Sequence, residues 1–420
     1  MRGTLGPTTL QESARLLGDY SDWNNLVVTA SWVSGDFPVT YLEEAVRRVA
    51  YRYDVLRRSY VSPAEAITAT DPAVEVIRLQ ASSESEAIVL ASDMLGQFFA
   101  LSSPCFARVV AVQLSNRRHL VGISIDHIVN DQLSWKYILT SISESYSRAL
   151  AGVPHSTVDQ PTYHRYARAQ RKELRGSWGR SARDYWFERT ERYGPYPPLL
   201  PRKNQPLSDG KYWRMERDIH LGRRSLATCA ADARTTPFHV AAALTLMGLQ
   251  VAFRPDCVGL TTNFHGRTIP SAYRTAGLFV QTVPLAIESP AERGLNAVIA
   301  ELKQQSLETF EYCVPLRWMD EQWGKCGWAV QDAEAGVYLD VVSPREASRP
   351  ESIGLSFEGC SSTDAPLNIA GQKQWPQTLV VTWTTTPQGC RLSVASHTSS
   401  FDEDDVDRFV KCVSQSITNL

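Results

Sequence analysis

The sequence predicts an α/β protein built from two lobes of similar length, and three observations indicate this fold. The chain has 420 residues, which exceeds one ordinary hydrophobic core and fits two domains of about 200 residues each. Segments with helical spacing alternate with β-branched segments in both halves. Residues 194–210, GPYPPLLPRKNQPLSDG, are too rich in proline and glycine for regular structure. The predicted lobes are therefore residues 1–193 and 194–420.

The first half alternates helices and strands. PVTYLEEAVRRVAYRYDVL has an apolar face at helical spacing and leads into a strand near Tyr60. A second helix is predicted in SESEAIVLASDMLGQFFAL, and two strands joined by the polar turn SNRR are predicted in FARVVAVQLSNRRHLVGISI. NDQLSWKYILTSISESYSRAL again has helical spacing, and the chain is predicted to be helical from Pro161 to Tyr193.

The second half contains a similar mixture. An apolar helix, TPFHVAAALTLMGLQVAF, begins with Thr236 and Pro237. Strands are predicted in CVGLTTNF and LFVQTVPLAI, and a helix is predicted in LNAVIAELKQQSLETF. TLVVTWTTT and RLSVASHT are predicted to form a hairpin, and DEDDVDRFVKCVSQSI a closing helix. This similarity between the halves predicts two related lobes that face each other.

Composition and charge exclude several classes of protein. The 43 Lys and Arg residues nearly balance 45 Asp and Glu residues, and a net charge of −2 gives no general attraction to nucleic acid or an anionic membrane. The first residues lack a signal-peptide pattern, and no apolar run reaches the ~18 residues of a membrane span. The eight cysteines are dispersed without a C-x-x-C pair, so reduced thiols in the cytoplasm are expected.

A single histidine, His127, lies between two aspartates where a predicted strand ends and a helix follows, in the segment ISIDHIVNDQLSW. Such a corner presents a side chain to a cleft on a rigid backbone. From the residues alone, a hydrogen-bonded core histidine is the alternative. The sequence lacks the phosphate-binding, dinucleotide-binding, nucleophile-elbow and zinc-protease motifs. His127 and Asp131 have no third ligand at a suitable spacing, so no metal site is predicted.

Five segments along the chain resemble the condensation domains of nonribosomal peptide synthetases, which are related to chloramphenicol acetyltransferase. DHIVNDQ resembles the family motif H-H-x-x-x-D-G, with His127 as its second histidine and Asp131 as its aspartate. RYDVLRRSYV resembles R-H-x-x-L-R, and ARDYWFERTERYGPYPPLLP resembles a D-Y-W helix that leads into a proline-rich crossing. NFHGRTIPSAYRTAGLFVQTVPLAI resembles N-x-x-x-R followed by G-x-F-V-N-T-x-P-L, and VPLRWM resembles V-P-F.

The resemblance implies a fold and an activity. The fold is two chloramphenicol-acetyltransferase-like lobes in a V-shaped pseudo-dimer, with a central tunnel for two phosphopantetheine arms. The implied activity is transfer of an acyl or aminoacyl group from a carrier-protein thioester to an amine or alcohol acceptor. The phosphopantetheine arm arrives on the carrier, so no cofactor of the chain's own is expected. Because Met1 opens the chain and no carrier module is attached, carriers are expected to act in trans on a monomer.

Within this family His127 is the expected catalytic residue, either as general base or by orienting the nucleophile. Asp131 is expected to pair with Arg267 and to tie the two lobes together at the site. Two departures stand at Asp126 and Gln132, where the family has His and Gly. Asp126 is expected to support the site from the far side of its strand, with Arg57 or Arg58 as its partner.

The substrate tunnel is expected to be lined by four residues. Gln132 either narrows the tunnel or binds a particular acceptor, and Trp135 follows it by about one helical turn. Asn263 and Gln281 belong to the segment that carries Arg267. The basic helix HRYARAQRKELRGSWGRSAR is either a solvated face or a surface for an acidic carrier. Because Asp126 and Gln132 depart from the motif, a catalytically inactive docking module is the alternative function.

Overall fold

The computed structural model describes fourteen stretches of the chain. These are residues 3–17, 26–74, 76–101, 103–115, 117–154, 162–193, 200–201, 212–219, 225–323, 334–342, 355–367, 378–386, 389–397 and 400–418. Most of the proline-rich segment 194–210, and with it the predicted lobe boundary, lies outside the described residues.

The helices and strands alternate through both halves of the chain, as predicted. The helices are α1 (Leu10–Leu17), α2 (Val39–Arg52), α3 (Glu84–Leu95), α4 (Gln132–Leu150), α5 (Tyr163–Leu174), α6 (Ser177–Tyr193), α7 (Leu226–Asp232), α8 (Pro237–Phe253), α9 (Pro290–Arg293), α10 (Leu295–Glu311), α11 (Leu316–Trp323) and α12 (Glu403–Thr418). The strands are β1 (Gly3–Pro7), β2 (Leu26–Gly35), β3 (Arg58–Ser62), β4 (Glu65–Ala69), β5 (Val76–Gln80), β6 (Ala107–Ser115), β7 (Arg118–Asp126), β8 (Leu200–Pro201), β9 (Tyr212–Ile219), β10 (Cys257–Phe264), β11 (Gln281–Glu288), β12 (Glu334–Val342), β13 (Cys360–Asp364), β14 (Thr378–Thr386) and β15 (Gly389–His397).

The chain divides into two compact units that do not follow the predicted ranges 1–193 and 194–420. The first unit comprises Met1–Gly176, His265–Val280 and Glu351–Lys373, and the second comprises the remaining residues. The helix predicted from Pro161 to Tyr193 is interrupted at 175–176, so α5 belongs to the first unit and α6 to the second. The segment 265–280 leaves the second unit between β10 and β11, because its buried hydrogen bonds are made to the start of α4.

The first unit contains a three-stranded sheet of order β1-β4-β3 and a five-stranded sheet of order β13-β2-β7-β6-β5, with β7 at the centre of the latter. Successive side chains of β7 enter two different cores, as strand geometry requires. Val121, Ile123 and Ile125 pack on the side of α2 and α4, whereas Leu120 packs with Ala91 and other residues of α3. Both faces of β7 are therefore buried, and the strand is a rigid support for the residues that follow Asp126.

The second unit has its own core around a sheet of order β11-β10-β12-β14-β15-β9, with β8 paired to β12. Helix α8 is buried on nearly all sides, as its apolar sequence predicts, and packs against α12 and α10. The predicted hairpin is β14 and β15, paired from Val380–Ala395 to Thr386–Gly389.

The described residues contain neither a membrane-spanning helix nor a cluster of metal ligands. No single helix there is long and apolar enough to cross a membrane, and α7 with α8 reaches such a length only as a pair bent by 100°. No group of three or more His, Cys, Asp or Glu side chains in these stretches is placed to hold a metal ion.

Candidate active site

His127 opens a short 3-10 turn, His127–Val129, directly after β7. The carboxylate of Asp126 accepts a hydrogen bond of 2.8 Å from the backbone N–H of Ile128, which caps the turn. Ile128 and Val129 are fully buried in the core of the first unit. The backbone that carries the half-buried His127 is therefore held from both sides.

The environment keeps the imidazole of His127 neutral. Burial lowers its pKa to about 4, and the positive charge of Arg15 acts in the same direction. The carboxylate of Asp131 and the backbone carbonyls of His127 and Asn130 oppose this shift, because they favour the charged form. At neutral pH the ring is therefore uncharged, with one nitrogen able to accept a proton.

Buried polar atoms at and just after this turn lack a regular hydrogen-bond partner among the described residues. Nδ1 of His127 makes no regular hydrogen bond within the described chain, although the carbonyls named above act on the ring. The amide nitrogen and oxygen of Asn130, a fully buried residue, also have no partner among the described residues. Unpaired buried polar groups cost about 1–3 kcal/mol each and are concentrated at functional sites.

Asp131 is the N-terminal cap of α4 and the centre of a buried network. Its Oδ1 accepts a hydrogen bond of 2.8 Å from the N–H of Ser134, and its Oδ2 accepts one of 3.0 Å from the N–H of Phe279. Arg267 donates through Nη2 to both carboxylate oxygens, at 2.9 and 3.2 Å. The side chains of this predicted pair are 4% and 0% exposed.

Arg267 connects α4 to the rest of the segment 265–280. Its Nη2 donates to the hydroxyl of Ser134 at 2.6 Å, and its Nη1 donates to the carbonyls of Thr275, at 2.7 Å, and Ala272. The guanidinium carbon lies 3.9 Å from the ring centre of Phe279. Asp131 and Arg267 were expected to join two lobes, but both belong to the first unit, where they fasten a returning segment to α4.

Gly266, beside Arg267, has no room for a side chain. Its φ is +64°, and a Cβ atom there would overlap the backbone carbonyl of Phe279. We expect Gly266→Ala to lower the free energy of unfolding by on the order of 3–5 kcal/mol, because backbone strain and overlap add. Gly152 is the matched control, since its φ is +65° and nothing lies within 4 Å of its Cβ position. Gly152→Ala should cost only ~1–2 kcal/mol in urea unfolding. Equal losses would contradict the close packing at Gly266.

A second buried ion pair supports the histidine turn and was not found in the sequence. Arg58 donates to the carboxylate oxygens of Glu12 at 2.6 and 2.9 Å, and both side chains are almost fully buried. Tyr60 donates to Glu12 at 2.8 Å and lies 3.4 Å from the carbonyl oxygen of Ile128. Glu12 and Arg58 lie 46 positions apart, and the periodicity of their segments does not predict the contact.

Both arginines that were expected to pair with Asp126 are engaged by other groups. The guanidinium of Arg58 is committed to Glu12, and that of Arg57 donates to backbone carbonyls, including those of Ala50 and Ala69. The fold determines which buried carboxylate contacts an arginine of this segment, and the sequence alone does not identify that carboxylate.

The four predicted tunnel residues lie in different environments. Gln132 is exposed on the first turn of α4, and Trp135 is 7% exposed within the core of the first unit. Asn263 and Gln281 belong to the second unit. Asn263 is exposed and accepts a hydrogen bond of 3.4 Å from Thr282, whereas Gln281 is 7% exposed and hydrogen-bonds the buried thiol of Cys313.

The α/β fold of the chain matches the chloramphenicol-acetyltransferase-like fold class of solved condensation-domain structures, as the resemblance implied. Within that class, the family model for the condensation domain matches residues 14–325. The chain therefore belongs to the condensation-domain family.

Solved structures agree with this fold along the whole chain. The X-domain in its complex with OxyB from teicoplanin biosynthesis has a TM-score of 0.78 at 18% identity, covering 100% of this chain and 94% of that one. VibH, a condensation enzyme of nonribosomal peptide synthesis, has a TM-score of 0.69 at 15% identity, covering 98% and 95%. At these identities the likeness establishes the fold alone.

Among proteins of known role, tyrocidine synthase 3 of Brevibacillus parabrevis is 26% identical over 276 residues, or 64% of this chain. A phosphinothricin tripeptide synthetase of Streptomyces viridochromogenes is 26% identical over 323 residues, or 72% of this chain. The chain spans only 4% and 27% of these two synthetases, respectively.

Proposed function

We propose that this chain is a condensation-type acyltransferase of nonribosomal peptide biosynthesis that acts in trans. It transfers an acyl or aminoacyl group from the phosphopantetheine thioester of a carrier protein to an amine or alcohol. The observation that carries the proposal is the neutral, half-buried His127, held on a capped turn behind a buried strand. Membership of the condensation-domain family supports the class of reaction.

In the proposed reaction the acceptor attacks the thioester carbonyl, forming the new C–N or C–O bond, and the C–S bond then breaks. The acceptor's proton passes to neutral His127 as the tetrahedral intermediate forms, and then to the departing thiolate. Asp131 and the carbonyls of His127 and Asn130 favour the imidazolium, so they stabilise it when it appears. In the alternative role His127 only orients the nucleophile and takes no proton.

The chemistry is tested by offering the protein separate carriers bearing different acyl groups, together with amine and alcohol acceptors. The carriers are taken from the genomic neighbourhood, and products are identified by mass spectrometry. An amide or ester that requires the protein supports an acyltransferase, and its formation from separately added carriers supports action in trans. Absence of product with every pair contradicts the enzyme proposal.

A second candidate function is a docking module that recruits another protein. It is favoured by Asp126 and Gln132, which depart from the family motif, and by the likeness to an X-domain solved in complex with OxyB. Absence of product, together with micromolar binding of a carrier or a tailoring enzyme, would support this function over catalysis.

The lowered pKa of His127 predicts how activity and stability depend on pH. If deprotonated His127 limits the reaction, the rate should stay level from pH 8 to about 5 and fall near pH 4. In the unfolded chain the pKa of this imidazole is about 6.5. Between pH 4 and pH 6.5 the unfolded chain therefore binds more protons than the folded chain. The stability that neutral His127 contributes is then complete above pH 6.5 and is lost as the pH falls toward 4.

The measurement is an NMR titration of the histidine side chains, in which the His127 signal is assigned by its absence from a His127→Gln variant. A midpoint for His127 near the unshifted value would contradict both the burial of the ring and the influence of Arg15.

A further inference from the structure

Helix α5 carries a stripe of positive charge on its exposed side, and we call this stripe the α5 basic face. It consists of Arg165, Arg168, Lys172 and Arg175, all exposed. Their spacings of three, four and three residues place them on one side of a helix. None of the four forms an ion pair with any described residue, and Glu173 is the only acidic residue between 163 and 175.

The opposite side of α5 is fastened to the first unit. The carboxylate of Asp54 accepts hydrogen bonds of 2.8 and 2.9 Å from the N–H groups of Tyr163 and His164, which caps the start of the helix. Gln170 accepts one of 2.7 Å from the N–H of Leu10, and Arg171 donates one of 2.8 Å to the carbonyl of Thr8. The helix cannot rotate without breaking these contacts, so the α5 basic face has a fixed position on the unit.

Helix α5 also contacts the segment that supports the candidate active site. The hydroxyl of Tyr163 donates to the carbonyl of Leu278 at 2.8 Å, and the N–H of the next residue, Phe279, donates to Asp131. Two hydrogen bonds, made by the adjacent residues Leu278 and Phe279, therefore connect α5 to Asp131 at the start of α4. A partner that binds α5 is positioned relative to the same rigid elements that hold His127.

Four like charges on one helical side are unfavourable by themselves. Neighbours three or four residues apart repel each other by about 0.2–0.5 kcal/mol per pair, and none of the four forms an ion pair with a described acidic residue. The chain as a whole carries a net charge of −2, so the positive charge is local. The stripe is about 15 Å long, at a rise of ~1.5 Å per residue, which matches one helix of a partner and is short for a nucleic-acid track.

We propose that the α5 basic face binds the acidic face of the carrier protein that delivers the thioester. This inference rests on the proposed function, because the carrier is its substrate. A carrier must arrive and leave in every cycle, and exposed complementary charges give fast association with modest, salt-sensitive affinity. Charge complementarity selects an acidic protein surface as the occupant.

The binding test compares two double charge reversals of equal net change. Arg168→Glu with Lys172→Glu changes the α5 basic face. Arg117→Glu with Arg148→Glu changes two exposed arginines of the first unit that form no ion pair among the described residues. Phosphopantetheine-bearing carriers from the genomic neighbourhood are titrated by calorimetry at low and high salt. We expect about a tenfold or greater loss of affinity for the first variant and less than about threefold for the second.

A second measurement separates docking from chemistry by using an acyl pantetheine thioester without a carrier. The α5 variant should turn over this small donor like the wild type and lose turnover only with carrier-bound donor. Equal carrier affinity in both variants, or no carrier binding by the wild type, would overturn the inference. If the wild type makes no product from either donor but carrier binding still depends on the α5 basic face, the docking inference stands and the proposed reaction fails.

Discussion

Replacing His127 by alanine is expected to lower product formation by about 10²–10⁴-fold while leaving the fold intact. The turn that carries His127 is held by Asp126 and by the buried side chains of Ile128 and Val129, which the substitution does not touch. The ring is half-buried and its Nδ1 has no partner in the described chain, so its removal leaves little unsatisfied. The loss should therefore appear in the rate of product formation and not in the free energy of unfolding.

The control is His239→Ala, which removes another half-buried histidine, in the second unit, whose pKa burial also lowers. It should form product at close to the wild-type rate. His127→Gln separates the two roles of His127, because an amide can orient a nucleophile but takes up no proton at neutral pH. A glutamine variant as inactive as the alanine variant supports the general base, and an active one supports orientation. An undiminished rate in His127→Ala would rule out both.

Replacing Arg267 by methionine is expected to lower the free energy of unfolding by about 3–5 kcal/mol. The substitution keeps an apolar stem of similar reach but leaves the carboxylate of Asp131 buried without a countercharge. Among the described residues, the N–H groups of Ser134 and Phe279 would then hold that carboxylate, and the carbonyls of Ala272 and Thr275 would each lose the hydrogen bond from Arg267. Urea unfolding of the whole chain, followed by circular dichroism, measures the change.

The matched control is Arg78→Met, because Arg78 contacts Glu43 at 2.6 Å but the two side chains are 52% and 39% exposed. Exposed pairs contribute about 0–1 kcal/mol, so this variant should be nearly as stable as the wild type. Arg267→Met combined with Asp131→Leu should recover part of the loss, because it removes the unpaired charge. Equal losses in the two single variants would show that burial does not determine the strength of the Asp131–Arg267 pair.

Local pattern was sufficient to predict much of the fold. The helical spacing of Leu42, Val46 and Val49 identifies the buried side of α2, and the apolar runs around SNRR identify β6 and β7. The position of His127 between a buried strand and a helix was also predicted. In each case the signal lies within about twenty residues, where a period of 3.6 or 2 determines which side chains face the core.

The contact between distant segments that was predicted and is found in the structure is the one that a family motif supplied. The pairing of Asp131 with Arg267 came from the resemblance, and the structure contains it. Glu12 with Arg58 had no such source and was missed, although both pairs are equally buried. The membership of segment 265–280 in the first unit depends on hydrogen bonds to α4, which neither composition nor periodicity encodes.

The discontinuous first unit has a consequence for synthesis on the ribosome. Asp131 is made 136 residues before Arg267, and the unit's last segment is made later still. At a synthesis rate of about 5–20 residues per second, Arg267 is made roughly 7–27 s after Asp131. During this interval the nascent sheet around β7 has a capped histidine turn without its arginine. The buried network around Asp131 therefore reaches its final form only after Arg267 has been made, well after the His127 turn and its own local contacts.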